Sequence, residues 1–135
     1  MNDIAINKAQ SIQRCVFRAR QEYSAAGDSF ETDYTRQDAA MLNVTRACEQ
    51  AIDLANHLVK NEKLGVPTDS SESFSLLARG GIIPDGLSRR LQKMIGFRNT
   101  AIHEYQDLDI AIVRTVISRG TEDLLEFSRL ILQQG

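Results

Sequence analysis

Within the stretch 97–105 stand a permanent cation, an amide, an imidazole and a phenol, as Arg98, Asn99, His103 and Tyr105. An imidazole, with an unperturbed pKa of ~6.5, can take a proton from a ribose 2′-OH or give one to a departing 5′ oxygen. A guanidinium is always charged and fork-shaped, so it can hold a phosphate and stabilise the added negative charge of a pentavalent transition state. Together they suit metal-free cleavage of an RNA phosphodiester, and the need for the 2′-OH excludes DNA. Geometry sets a condition. At ~100° per residue Asn99 and His103 are helix neighbours, whereas Arg98 lies about 140° from His103 and close to the stripe of Tyr105. One helix does not aim both groups at one atom. A second copy packed about a twofold axis would bring two Arg and two His around one cleft, with Asn99 orienting the imidazole or binding substrate. Taken alone, the same residues also fit a surface cluster or a set of helix-packing hydrogen bonds.

Charge supports a local anion-facing surface and no global one. Sixteen Lys and Arg against eighteen Asp and Glu give the chain a net charge of −2, so the whole has no pull on nucleic acid or an anionic membrane. From Arg79 to Tyr105, however, the balance is +3 while the rest of the chain carries −5. Arg79, Arg89, Arg90 and Lys93 are therefore candidate RNA contacts, with solvated helix faces as their plain alternative. Cys15 and Cys48 have no CxxC pattern and read as small core residues, and their use fits a reduced cytoplasm. His57 has no partner ligand at i+3 or i+4, and neither HExxH nor a phosphate loop occurs, so no metal site and no cofactor are expected.

The elements that must position these residues are all helical. The 135 residues are 42% hydrophobic and 25% charged, enough for one domain with one core. Ile12, Val16, Ala19 and Tyr23 recur at helical spacing from Asp3 to Ala26, with Gly27 as the stop. A second stripe of Ala40, Val44, Cys48, Ala51, Ala55, Leu58 and Val59 runs from about Arg36 to Lys63, with Thr35 as its cap and Leu64-Gly65-Val66-Pro67 as its end. Ser70 or Ser71 caps a two-turn helix that Gly80-Gly81 terminates. Pro84 opens a helix carrying Leu87, Leu91, Met94, Ile95 and Ile102 to Tyr105, weakened locally by Gly96. Asp109 caps a last segment with Ile110, Val113, Val116, Ile117, Leu124, Phe127, Leu130 and Ile131 on one face. No alternating strand pattern and no run of roughly 18 apolar residues appears, and the start lacks the features of a signal peptide. The expectation is an all-α, up-and-down four-helix bundle with one additional short helix, a single domain over 1–135, in the cytoplasm and off the membrane.

The run from Phe74 to Leu108 resembles the HepT-like branch of the HEPN superfamily. Its signature Arg-x4-His-x-Tyr is present as Arg98, His103 and Tyr105, between a Gly-Phe-Arg-Asn approach and a Glu-Tyr exit, and Arg36-Gln37-Asp38-Ala39 also fits the family's second helix. The resemblance implies an all-helical homodimer whose paired Arg98 and His103 form a metal-independent endoribonuclease at the subunit interface. It further implies a toxin of a prokaryotic toxin–antitoxin pair, neutralised by an MNT-type nucleotidyltransferase that transfers AMP onto Tyr105. Asp38 would orient His103 or Arg98 if its end of the helix reaches the cleft, or it is simply a negative charge placed near a helix N-terminus. Without the resemblance, Tyr105 is equally a helix-end aromatic packed on the core. A second reading keeps the fold and partner without chemistry, as a non-catalytic nucleotide-binding or scaffold partner of the nucleotidyltransferase.

Overall fold

Small residues at helical spacing decide how the first helix packs. In the computed structural model, which describes residues 3–104 and 107–134, α1 spans Asp3–Ala26 and buries Ala5, Ala9, Ile12, Val16 and Ala19, a stripe narrow enough to lie close against its neighbours. Gly27, at a φ of 55° that L side chains rarely adopt, turns the chain out of α1 as expected. Phe30 then folds back into the core, edge-on to Tyr23 with ring centroids 4.8 Å apart.

The second helix, α2, runs Tyr34–Asn61 and buries Gln37, Ala40, Val44, Ala47, Cys48, Ala51, Leu54 and Leu58 among others, so it lies at the centre of the fold. Its cap is Asp33, whose carboxylate accepts from the Arg36 amide, and not Thr35. The third helix, α3, spans Ser70–Arg79 and is capped by Asp69 accepting from the Glu72 amide at 2.8 Å, and not by Ser70 or Ser71. In both cases a full negative charge sits where the unpaired amides and the positive end of the helix meet, one or two residues before the hydroxyl expected there. The Glu72 carboxylate reaches back to the Thr68 amide and hydroxyl, closing the turn. Lys63 in the left-handed region ends the approach from α2, and Gly80 presses against Leu64 so tightly that a Cβ there would lie 2.7 Å from it.

The fourth helix, α4, spans Asp85–Glu104 and carries Leu87, Leu91, Met94, Ile95 and Ala101 into the core. Ile102 departs from expectation. It lies on the same stripe but is 48% exposed, because no described element covers that side of the last turn. Asp109 caps α5, Ile110–Thr115, by accepting from the Ala111 amide, and a π-helical segment Val116–Gly120 joins it to α6, Thr121–Gln133. The widened turn is not visible in the apolar spacing, which continues through it.

The α1, α2, α4 and α5–α6 segments form the expected four-helix bundle, with α3 bridging α2 and α4. Phe74 of α3 and Phe127 of α6 meet edge-to-face at 5.7 Å. Buried hydroxyls are all used in this region: Ser88 donates to the Phe74 carbonyl at 2.9 Å and Ser128 to the Ala9 carbonyl at 2.6 Å. Among the described residues no strand occurs, and no helix is long and apolar enough to cross a membrane. Phe74→Ala should cost about 3–5 kcal/mol in denaturant unfolding because the surrounding aromatic cluster cannot collapse into the space. Asp33→Ala should cost only about 1 kcal/mol, the worth of a helix cap.

Candidate active site

Counting around α4 from Leu87, Arg98 lies within about 60° of Leu91, Met94 and Ala101, so a cation stands on the helix's core-facing stripe. It does so just where the stripe runs off the end of the core. The Arg98 side chain is 22% exposed, and its aliphatic stem leans on α2. There Nη2 donates to Oε1 of Glu49 at 3.3 Å, while Nη1 donates to Oδ1 of Asn99 at 2.9 Å. The Nε atom is buried with no hydrogen-bond partner, a deficit of about 1–3 kcal/mol for an unmet donor. Cys48, one residue before Glu49, is fully buried beside this guanidinium. Burial pushes its thiol up to about 12, only partly opposed by the Arg98 charge and reinforced by Glu49. A thiol held protonated is neither nucleophile nor metal ligand, which agrees with its reading as a small core residue.

His103 and Asn99 are exposed on the outer side of α4. No hydrogen bond links His103 to a described residue, and Arg98 and His103 leave the helix about 140° apart. Within one chain the structure therefore joins Arg98 to Asn99, Glu49 and Cys48, and not to His103. Tyr105 lies outside the described residues.

Asp38 is exposed in the second turn of α2 and bonds neither Arg98 nor His103. It does border a groove of about 220 Å³ with Met41, Leu42, Thr45 and Ala101, so this end of α2 reaches the end of α4 that carries the site. A larger cavity of about 600 Å³ opens on the other side of Asp38, lined by Tyr34, Leu108 and Val113 among others. The carboxylate at Arg98 is Glu49, which sequence reasoning missed. The available signal was an arginine on the stripe, which demands a partner; which α2 residue supplies it depends on the register between two helices.

The cationic candidates divide. Arg79 and Arg89 flank a shallow groove at the start of α4 with Asp85 between them, and Lys93 is exposed. Arg89, Lys93, Gly96, Thr100 and His103 form one exposed face, about 21 Å long from Arg89 to His103 at ~1.5 Å per residue. Arg90 does not belong to it. Its guanidinium is bound to Asp123 at 2.9 Å and Glu126 at 3.1 Å on α6, so its charge is already matched by two carboxylates on the surface. His57 sits within α2, with its Nε2 3.0 Å from the Asn61 amide nitrogen, and among the described residues no three His, Cys, Asp or Glu side chains are grouped to hold a metal ion.

A family model described as ribonuclease HepT-like matches residues 7–131. The chain is 45% identical over 131 residues to the mRNA nuclease HepT of Shewanella oneidensis, covering 97% of this chain and 98% of that protein. A shorter likeness, 31% identical over 61 residues, links it to the tRNA nuclease HepT of Aphanizomenon flos-aquae, over 45% of this chain and 42% of that one. Its fold superposes with a TM-score of 0.91 on the tri-AMPylated Shewanella oneidensis HEPN toxin solved in complex with the MNT antitoxin, at 44% identity over 98% of this chain and 99% of that one. With the matched model spanning nearly all of an all-helical chain that ends its fourth helix on Arg98 and His103, this protein belongs to the HepT-like family of the HEPN superfamily.

Proposed function

We propose that the chain is a metal-independent endoribonuclease toxin, cutting RNA at a composite Arg98/His103 site formed across a homodimer interface. The observation that carries this reading is the pairing of a half-buried Arg98 with an exposed His103 one turn further on, in a chain 45% identical to an mRNA nuclease along almost its entire length. In the cleft one His103 removes the proton from a ribose 2′-OH, and the freed oxygen attacks the adjacent phosphorus. The bond to the 5′ oxygen breaks as the second His103 delivers a proton to it. The products are a 2′,3′-cyclic phosphate and a 5′-hydroxyl. Arg98 neutralises the charge gathered on the non-bridging oxygens, and Asn99, beside both groups, directs them.

The second copy has a surface to cover. Ile102 on α4 is 48% exposed and Leu42 on α2 is 49% exposed, both at the end of the bundle that carries the site. Apolar side chains left uncovered beside a mismatched pair of reactive groups favour closure by a twofold mate, which hides the first and completes the second. Arg89, Lys93 and, at the far end, Arg79 offer phosphate contacts leading towards His103. Asp38, bordering the groove next to Ala101, is held as a supporting residue.

The partner is an MNT-type nucleotidyltransferase antitoxin, as in the Shewanella oneidensis complex whose toxin carries three AMP groups. It transfers AMP from ATP to the Tyr105 hydroxyl with release of pyrophosphate. Tyr105 follows Arg98 by seven residues in the sequence, and the added bulk and phosphate charge would oppose docking of an RNA phosphate.

Expression of the chain alone should arrest growth and degrade RNA, and Arg98→Ala and His103→Ala should each slow cleavage at least about 100-fold. Intact RNA in the wild type, or alanine variants that cut at the wild-type rate, would leave only a binding partner of the nucleotidyltransferase. Cleavage by the purified protein should keep its rate within about twofold in excess chelator and leave cyclic phosphate ends; strict need for a divalent ion contradicts the mechanism. Co-expression with the antitoxin should raise the protein's mass in AMP steps, and Tyr105→Phe should abolish that gain.

A further inference from the structure

We infer that Glu49 is a positioning residue, whose carboxylate fixes the direction in which Arg98 presents its remaining N–H groups to an RNA phosphate. The inference rests on the ribonuclease reading above.

Three observations carry it. First, Arg98 stands on the core-facing stripe of α4, where the aliphatic residues beside it set the path of the stem but leave the guanidinium plane undetermined. Second, that plane is gripped from two sides, by Glu49 on α2 at 3.3 Å through Nη2 and by Asn99 on α4 itself at 2.9 Å through Nη1. Third, Nε is buried and without a partner, so this orientation is not the one the guanidinium would choose for its own hydrogen bonding. Something outside the residue holds it, and Glu49 is the group on a different helix that does so.

The consequence is directional. A guanidinium has four Nη hydrogens; one donates to Asn99 and one to Glu49, which leaves two free at the exposed tip. Charge alone attracts an RNA phosphate from any orientation and contributes equally to ground-state binding. The extra charge of the pentavalent transition state is met only by N–H groups already aimed at it. Glu49 should therefore act on kcat and hardly on KM. Its own carboxylate is 45% exposed, so the pair contributes little to stability, and replacing Glu49 leaves the fold in place.

The test is steady-state RNA cleavage by the purified full chain as wild type, Glu49→Ala, Glu49→Gln, Arg98→Ala and the double variant Glu49→Ala/Arg98→Ala. Glu49→Ala should lower kcat about tenfold with KM within about threefold, and melt within about 3 °C of wild type. Glu49→Gln keeps an acceptor oxygen in place and should stay within about threefold of the wild-type kcat. In the double variant the Glu49 change should add nothing to the loss from Arg98→Ala, since it acts through that side chain. An independent readout is the Arg98 Nε–H resonance: buried, it should exchange slowly in wild type and Glu49→Gln and faster in Glu49→Ala. Wild-type kcat in Glu49→Ala, equal damage in both Glu49 variants, or a further loss in the double variant would overturn the role of Glu49 alone. Intact RNA with wild-type protein, or full activity in Arg98→Ala, would instead bring down the ribonuclease reading and this inference with it.

Discussion

The seating of α4 against α2 is the constraint on which the site depends, because it decides what lies opposite Arg98. That seating is set from several directions. Met94 sits between the Cys48 thiol, which approaches its carbonyl at 4.0 Å, and Gly120, where a Cβ would come within 2.8 Å of the Met94 sulfur. A side chain at 120 would force the Met94 side chain to move aside. At the other end Ser88 is tied to the backbone of α3 at Phe74. With Leu87, Leu91 and Ile95 buried beneath it, this packing sets the register in which Arg98 meets Glu49.

Placing a charge on a core-facing stripe is ordinarily unfavourable, and the fold limits the cost by geometry. Arg98 stands where the stripe emerges from the core, so its stem is covered while its tip keeps water and a carboxylate. Arg90 meets the same problem differently: it lies on an exposed flank and is consumed by Asp123 and Glu126, a device that ties α4 to α6. The two arginines, eight residues apart on one helix, thus differ in what remains to be satisfied. Arg90 faces two carboxylates, one of which accepts from its Nε; Arg98 faces one carboxylate and a neutral amide, and its buried Nε is unmet. Charge left unneutralised, rather than the number of open N–H groups, distinguishes a guanidinium available to an anion from one that ties helices together.

Helix existence and order were legible because the information is local. A stripe at 3.6-residue spacing names a helix, and Gly27, the Leu64–Pro67 turn and Gly80-Gly81 name its ends through backbone constraints that no neighbour alters. Caps were less legible, since Asp33-Tyr34-Thr35 and Asp69-Ser70-Ser71 each offer both a carboxylate and a hydroxyl, and only the position of the first helical amide chooses between them. Arg98 and His103 were readable as a motif and their separation as an angle. What surrounds them was not. The Glu49 contact spans 49 residues of chain, the commitment of Arg90 spans 33 to 36, and Ile102 is exposed because no described element covers it. Such facts arise from register between elements and leave no periodic trace.

A site divided between chains has a physical logic of its own. In the proposed dimer, Arg98 and His103 leave each helix about 140° apart, so a monomer would carry the parts without the activity, and closure of two copies over Leu42 and Ile102 would switch it on by assembly. The proposed arrangement would also be easy to silence. The end of α4 borders the groove beside Asp38 and carries Arg98, so a bulky anionic modification at that end would oppose the approach of a phosphate. Control by charge at this one turn needs no change elsewhere in the bundle, whose core stays closed behind Arg98.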